Sequence, residues 1–155
     1  MNRKSADEVE ALRKVLAAEH AAVYAYGLLG ARTTGALRSR VSAAFDAHRG
    51  MRDQLRSLIT TRGGKPSEPE ASYALPVTPG SAAEAVRLAV QIESGVTTAY
   101  LELTATPSPA LRRLAALAMQ ESATRSYGFR PTLTAFPGMP APASPSPSAS
   151  PTSSG

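Results

Sequence analysis

Three glutamates and one histidine interrupt otherwise apolar helical stripes, and side chains of these types can bind a metal or form buried ion pairs. Glu19, His48, Glu93 and Glu121 each lie near the middle of a different predicted helix, on the side that repeats apolar residues at helical spacing. We therefore expect them to meet in one layer across the middle of a helical bundle. Because a buried, unpaired charge is costly, such a layer requires compensating cations.

Two kinds of cation could balance the charge of the buried glutamates. Carboxylates and imidazole are ligands that iron and manganese use in carboxylate-bridged sites of helical bundles, which would make the protein an oxidoreductase or a metal-handling protein. Alternatively, Arg52, Arg125 and a protonated His48 could pair with the three glutamates, and the layer would then be structural. Ion pairing requires no ligand geometry, so it is the favoured interpretation.

Four helical segments must position these residues, and we predict them at about 6–30, 36–62, 82–104 and 109–130. Two capping boxes and a serine before proline mark helix starts at Ser5–Glu8, Ser81–Glu84 and Ser108–Pro109. Short turns join the first helix to the second and the third to the fourth, whereas residues 63–80 are long enough to cross a bundle. This predicts an all-α, ferritin-like four-helix bundle of two antiparallel hairpins joined by a long crossover.

Composition limits the other possibilities. The 155 residues are rich in alanine and poor in aromatic residues, which favours helices over sheets, and the absence of cysteine excludes disulfides and thiolate metal sites. No apolar run is long enough for a membrane span, and acidic residues near the start argue against a signal peptide, so a cytoplasmic protein is expected.

We predict a bundle domain over residues 1–130 and a disordered tail rich in Pro, Ser and Ala over 131–155, with residues 135–140 docked on the bundle.

The net charge of +5 permits contacts with acidic partners. In the predicted topology one end of the bundle gathers Arg32, Arg38, Arg40, Arg87 and Arg130. Anion or nucleic-acid binding at this end is a third hypothesis, although no nucleic-acid motif accompanies it and solvated helix ends explain it more simply. The oligomeric state and the protein partners stay open.

Three segments, AEHAAVYAYG at 18–27, AHRGMRDQL at 47–55 and AFPG at 135–138, resemble an actinobacterial ferritin-like domain family of uncharacterised function. The resemblance implies a ferritin-like bundle over about residues 6–140 and no assigned activity. Active di-iron bundles carry Glu-x-x-His motifs, but Phe45 and Thr124 occupy two of the corresponding ligand positions here. The resemblance therefore implies at most a one-cation or decayed site, and an interaction or assembly role without catalysis is the leading hypothesis.

Overall fold

A computed structural model describes residues 3–132 and Met139, and four α-helices make up this part of the chain. They are α1 (Arg3–Arg32), α2 (Gly35–Thr61), α3 (Ala82–Leu103) and α4 (Pro109–Phe129), with no strand in the described residues. The all-α prediction with four helices is confirmed, and the predicted bounds agree to within a turn. The predicted disorder and docking of the tail lie outside the described residues. Within that described part, no helix combines the length and apolarity needed to cross a membrane.

Two of the predicted helix starts are confirmed by their capping hydrogen bonds. The Ser81 hydroxyl accepts from the Glu84 backbone N–H at 3.2 Å, and the Ser108 hydroxyl accepts from the Leu111 N–H at 3.4 Å. Each bond satisfies one of the backbone donors that the first turn of a helix leaves without an intrahelical partner.

The first predicted capping box is wrong because α1 begins at Arg3, so that Ser5 lies inside the first turn. The Ser5 hydroxyl donates to the Arg62 carbonyl at 3.1 Å, and the Glu8 carboxylate pairs with the Arg62 guanidinium at 3.0 Å. Both side chains therefore tie the start of α1 to the residue that follows α2.

The core consists of two apolar clusters separated by polar residues. One cluster includes Leu12, Leu16, Leu55 and Tyr100, and the other includes Tyr26, Leu29, Val41, Leu88 and Phe129. Helix α1 packs against both α2 and α3, and α3 packs against α4, whereas α2 and α4 touch only lightly. The side of the fold between α2 and α4 is consequently the most open.

The segment between α2 and α3 follows α1 from its first half to its end. Three α1 side chains contact carbonyl oxygens of this segment in sequence order: Arg13 with Lys65 at 2.9 Å, His20 with Ser67 at 3.1 Å and Arg32 with Pro79 at 3.1 Å. These contacts satisfy the carbonyl oxygens of Lys65, Ser67 and Pro79, which a loop leaves without partners of its own. The long connection is therefore fixed along the length of α1.

Candidate functional site

The imidazole of His48 lies between two glutamates from different helices. Its Nδ1 is 2.7 Å from Glu19 Oε2, and its Nε2 is 3.1 Å from Glu93 Oε1. All three side chains are buried. The structure thus brings together three of the four residues that the sequence places in the polar layer, one each from α1, α2 and α3.

Further donors surround the two carboxylates. The Tyr100 hydroxyl donates to Glu19 Oε1 at 2.8 Å, and the Tyr26 hydroxyl donates to Glu93 Oε1 at 2.6 Å. The Ser122 hydroxyl donates to Glu93 Oε2. Every carboxylate oxygen of Glu19 and Glu93 therefore accepts at least one hydrogen bond from the protein.

Arg125 supplies a second cation beside His48. Its Nε donates to Glu93 Oε1 at 3.1 Å from the last part of α4. Glu19, His48, Glu93 and Arg125 together form what we call the buried ion-pair network. With His48 protonated, two positive charges balance two negative charges, which is the condition for keeping carboxylates ionised in an apolar core.

The protonation states follow from these contacts. Burial alone lowers the pKa of His48, but the hydrogen bonds and charges of Glu19 and Glu93 outweigh it and raise that pKa to about 9. Burial alone would raise the pKa of Glu93, yet His48, Arg125 and Ser122 bring it below its ordinary value. His48 is therefore an imidazolium that donates from both nitrogens at neutral pH.

The two tyrosines keep their protons. Burial, reinforced by the neighbouring carboxylate, raises the pKa of the Tyr26 and Tyr100 phenols. Both are therefore neutral hydrogen-bond donors at neutral pH.

Glu121 does not join the other three, which corrects the prediction from the sequence. Its side chain is 64% exposed and lies 3.9 Å from the Arg125 guanidinium on the surface. The buried residues of α4 are instead Leu111, Ala115, Ala118, Ser122 and Phe129, and Leu117 is 51% exposed. Giving the leucines more weight than the alanines turns the predicted face away from Ala115 and Ser122 and toward Leu117 and Glu121.

Arg52 also lies outside the network. Its Nε donates to the Asp53 carboxylate at 2.8 Å, and its side chain is partly exposed. Because Glu121 is on the surface, Glu19 and Glu93 are the buried carboxylates of the described residues, and His48 and Arg125 supply the two cations that they need.

Tyr26 and Tyr100, which the sequence predicts as core residues with a proton-relay or redox role as the alternative, and Ser122, which it does not single out, are the network's neighbours. Both tyrosines lie on the predicted apolar stripes. A core position explains why the aromatic ring is buried but does not predict which group the hydroxyl binds. A repeated spacing was available as a signal, since each tyrosine follows the glutamate of its own helix by two turns. Nothing in the sequence pattern of α4 singles out Ser122.

The residues that could bind iron or manganese are instead hydrogen-bonded to one another and to their protein neighbours. Both His48 nitrogens donate to carboxylates, so neither offers a lone pair, and every oxygen of Glu19 and Glu93 already has a protein donor. On the side of the site formed by α4, the Arg125 guanidinium already contacts Glu93. Among residues 3–132, no three His, Asp or Glu side chains are grouped so that they could hold a metal.

Comparisons with known proteins identify a family that is described as being of unknown function. No curated protein matches this chain. A conserved hypothetical protein, rv2844, from Mycobacterium tuberculosis has a crystal structure that matches with a TM-score of 0.78 and 32% identity, over 89% of this chain and 98% of that chain. Residues 11–141 match the family described as a domain of unknown function, DUF4439. Since this match spans most of the sequence, the chain belongs to the DUF4439 family.

Proposed function

We propose that this protein is a structural helical bundle whose buried ion-pair network holds the helices in register, and that it acts through what its surface binds and not through chemistry in its core. One observation carries the proposal. The four oxygens of Glu19 and Glu93 are all hydrogen-bonded to protein donors, and the charges within the network cancel. A catalytic or metal centre needs at least one group left free for a ligand.

We also infer that the helices form a ferritin-like bundle of two antiparallel hairpins joined by a crossover, with residues 1–130 as one domain. The contacts of Ser5 and Glu8 with Arg62 support an antiparallel α1 and α2. The bonds of Tyr26 to Glu93 and of Tyr100 to Glu19 support an antiparallel α1 and α3. The order in which the loop contacts α1 supports a connection that crosses the length of the bundle.

The alternative function is a carboxylate-bound iron or manganese protein. It would require His48 to lose a proton and turn away from at least one glutamate, and Arg125 to leave Glu93. Each of these changes removes a hydrogen bond to a buried charge, which costs about 1.5–3 kcal/mol apiece. Metal binding would have to exceed the sum of these losses.

Metal analysis of the full chain tests the proposal. The purified protein is incubated anaerobically with Fe(II) or Mn(II), passed through a desalting column and analysed by inductively coupled plasma mass spectrometry. We expect far less than one metal ion per chain, and no difference between the wild type and Glu93→Gln. Stoichiometric metal that is lost in Glu93→Gln but kept in Glu121→Gln, the surface control, would contradict the proposal.

A further inference from the structure

A cleft lies between α2 and α4, next to the buried ion-pair network, with which it shares Arg125. Its volume is about 390 Å³, within the range of small-molecule sites. Its lining combines small and apolar groups with one hydroxyl and two guanidinium groups: Ala43, Ala44, Gly128 and Phe129 with Thr124, Arg40 and Arg125. The lining therefore provides both apolar surface and positive charge.

The positive charge at the edge is only partly neutralised. The Arg40 Nη1 donates to the Gly128 carbonyl at 3.3 Å, and no carboxylate of the described residues pairs with this guanidinium. Arg125 uses its Nε for Glu93, and its Nη1 is 3.9 Å from the exposed Glu121. Terminal guanidinium N–H groups of both arginines are thus left for an anion, and guanidinium groups bind carboxylates well because two N–H donors match two oxygens.

We propose that this cleft binds a small organic carboxylate with an apolar body, such as a medium-chain acyl carboxylate. The apolar body contacts Ala43, Ala44 and Phe129, and the carboxylate binds at Arg40 and Arg125. Charge complementarity selects an anion over a neutral molecule, and the apolar lining selects a hydrocarbon over a phosphate or a sugar. The inference differs from the proposed structural role, because the network uses the Nε of Arg125, whereas the cleft would use Arg40 and the terminal N–H groups of Arg125.

The cleft contacts the core through Phe129. The Phe129 ring lies against Tyr26 with centroids 6.0 Å apart, and Tyr26 stacks on His48 at 5.2 Å. A ligand on Phe129 therefore changes the surroundings of a ring that borders the network. Signals of Tyr26 and His48 give a readout of binding that does not depend on knowing an activity.

Titration of the full chain with decanoate, followed by two-dimensional ¹H–¹⁵N NMR, tests the proposal, with 1-decanol as the uncharged control of equal chain length. We expect saturable shifts at Ala43, Gly128 and Phe129 with decanoate, and at least about tenfold weaker binding of decanol, which corresponds to one charge-assisted hydrogen bond. Arg40→Gln weakens decanoate binding by about the same factor, because it removes such a bond. Arg38→Gln, an exposed arginine of the same helix outside the cleft, leaves it unchanged.

A second pair of variants tests the location. Ala43→Phe fills the cleft from an exposed position and abolishes binding, whereas Ala116→Phe, an equally exposed alanine on α4 outside the cleft, has no effect. Circular dichroism verifies that each variant is folded. If Ala43→Phe does not fold, the comparison of Arg40→Gln with Arg38→Gln decides alone.

Several results would overturn the proposal. Equal affinities for decanoate and decanol would remove the role of the arginines, and the absence of saturable shifts would remove the site. Binding of a short DNA duplex that Arg40→Gln weakens and Ala43→Phe leaves unchanged would show that the arginine serves to bind nucleic acid. A dimer in sedimentation velocity that Ala43→Phe dissociates and decanoate does not would assign the cleft to a second copy of the chain.

Discussion

The Tyr26 hydroxyl on α1 donates a 2.6 Å hydrogen bond to Glu93 on α3. The same contact occurs in the opposite direction, because Tyr100 on α3 donates to Glu19 on α1 at 2.8 Å. Each tyrosine follows the glutamate of its own helix by two turns, so the two helices exchange equivalent bonds on either side of His48. This reciprocal exchange fixes the register of α1 against α3, since a shift of either helix by one turn would break both bonds.

The oxygens that accept the two tyrosine hydrogen bonds differ in their other donors, and this leads to a prediction. Tyr100→Phe leaves Glu19 Oε1 without a donor inside the core, and we expect the free energy of unfolding to fall by about 1–3 kcal/mol. Tyr26→Phe costs less, because Glu93 Oε1 keeps its bonds to His48 and Arg125. Urea denaturation of both variants, with Tyr127→Phe on the surface as the control, measures the difference. A larger loss for Tyr26→Phe would show that the network does not share its donors in this way.

Removal of the central cation gives the second prediction. His48→Gln leaves two buried carboxylates with Arg125 as their remaining cation, and the expected loss of unfolding free energy is about 3–5 kcal/mol. Arg52→Gln is the matched control, because this residue pairs only with Asp53 at the surface, and changes at such positions alter stability by about 0.5 kcal/mol or less. Denaturant titrations of both variants supply the values, and similar losses for the two would refute the assignment of His48 as the essential cation.

Stability should depend on pH through His48. Its pKa is about 9 in the folded protein and about 6.5 in the unfolded chain, so its contribution is fully present below pH 6.5. Between these values the unfolded chain loses the proton while the folded protein keeps it, and the free energy of unfolding falls as the pH rises. The total loss is about 3 kcal/mol. Denaturation at several pH values checks this slope, and an equal slope in His48→Gln would assign it to another group.

The start of the crossover depends on a glycine, which gives a prediction about packing. A Cβ at Gly64 would lie 2.6 Å from Cγ1 of the buried Val9, so we expect Gly64→Ala to destabilise the protein by about 1–3 kcal/mol through overpacking. In Gly50→Ala the new Cβ meets nothing within 4 Å in the middle of α2, and that variant should gain about 0.5–1 kcal/mol. Thermal unfolding of the two variants separates them, and a stabilised Gly64→Ala would contradict the close approach.

Much of the fold was predictable because the signals are local. Alanine-rich apolar periodicity and the serines at 81 and 108 set the helices and two of their starts. The start of α1 was misplaced because Ser5 and Glu8 match a capping box by spacing alone, and only the position of Arg62 in space shows that they bind across to the end of α2.

The candidate site was predictable where a charged residue interrupts large apolar neighbours. Glu19, His48 and Glu93 fall among leucines, valines and aromatics, whereas the buried residues in the middle of α4 are Ala115, Ala118 and Ser122, which resemble an exposed face. Glu121 was assigned inward for that reason. The hydrogen bonds of Tyr26, Tyr100 and Ser122 depend on distances between helices, which the spacing along one helix does not contain.

His48 is a buried imidazolium that donates to Glu19 and Glu93. Long-range ¹H–¹⁵N NMR of the ¹⁵N-labelled wild type measures this most directly, because the ring nitrogen shifts report which of Nδ1 and Nε2 carries a proton. We predict that both nitrogens are protonated at pH 7.5 and that the ring begins to titrate only near pH 9. A single neutral tautomer at pH 7.5, with one nitrogen bearing a free lone pair, would contradict the account.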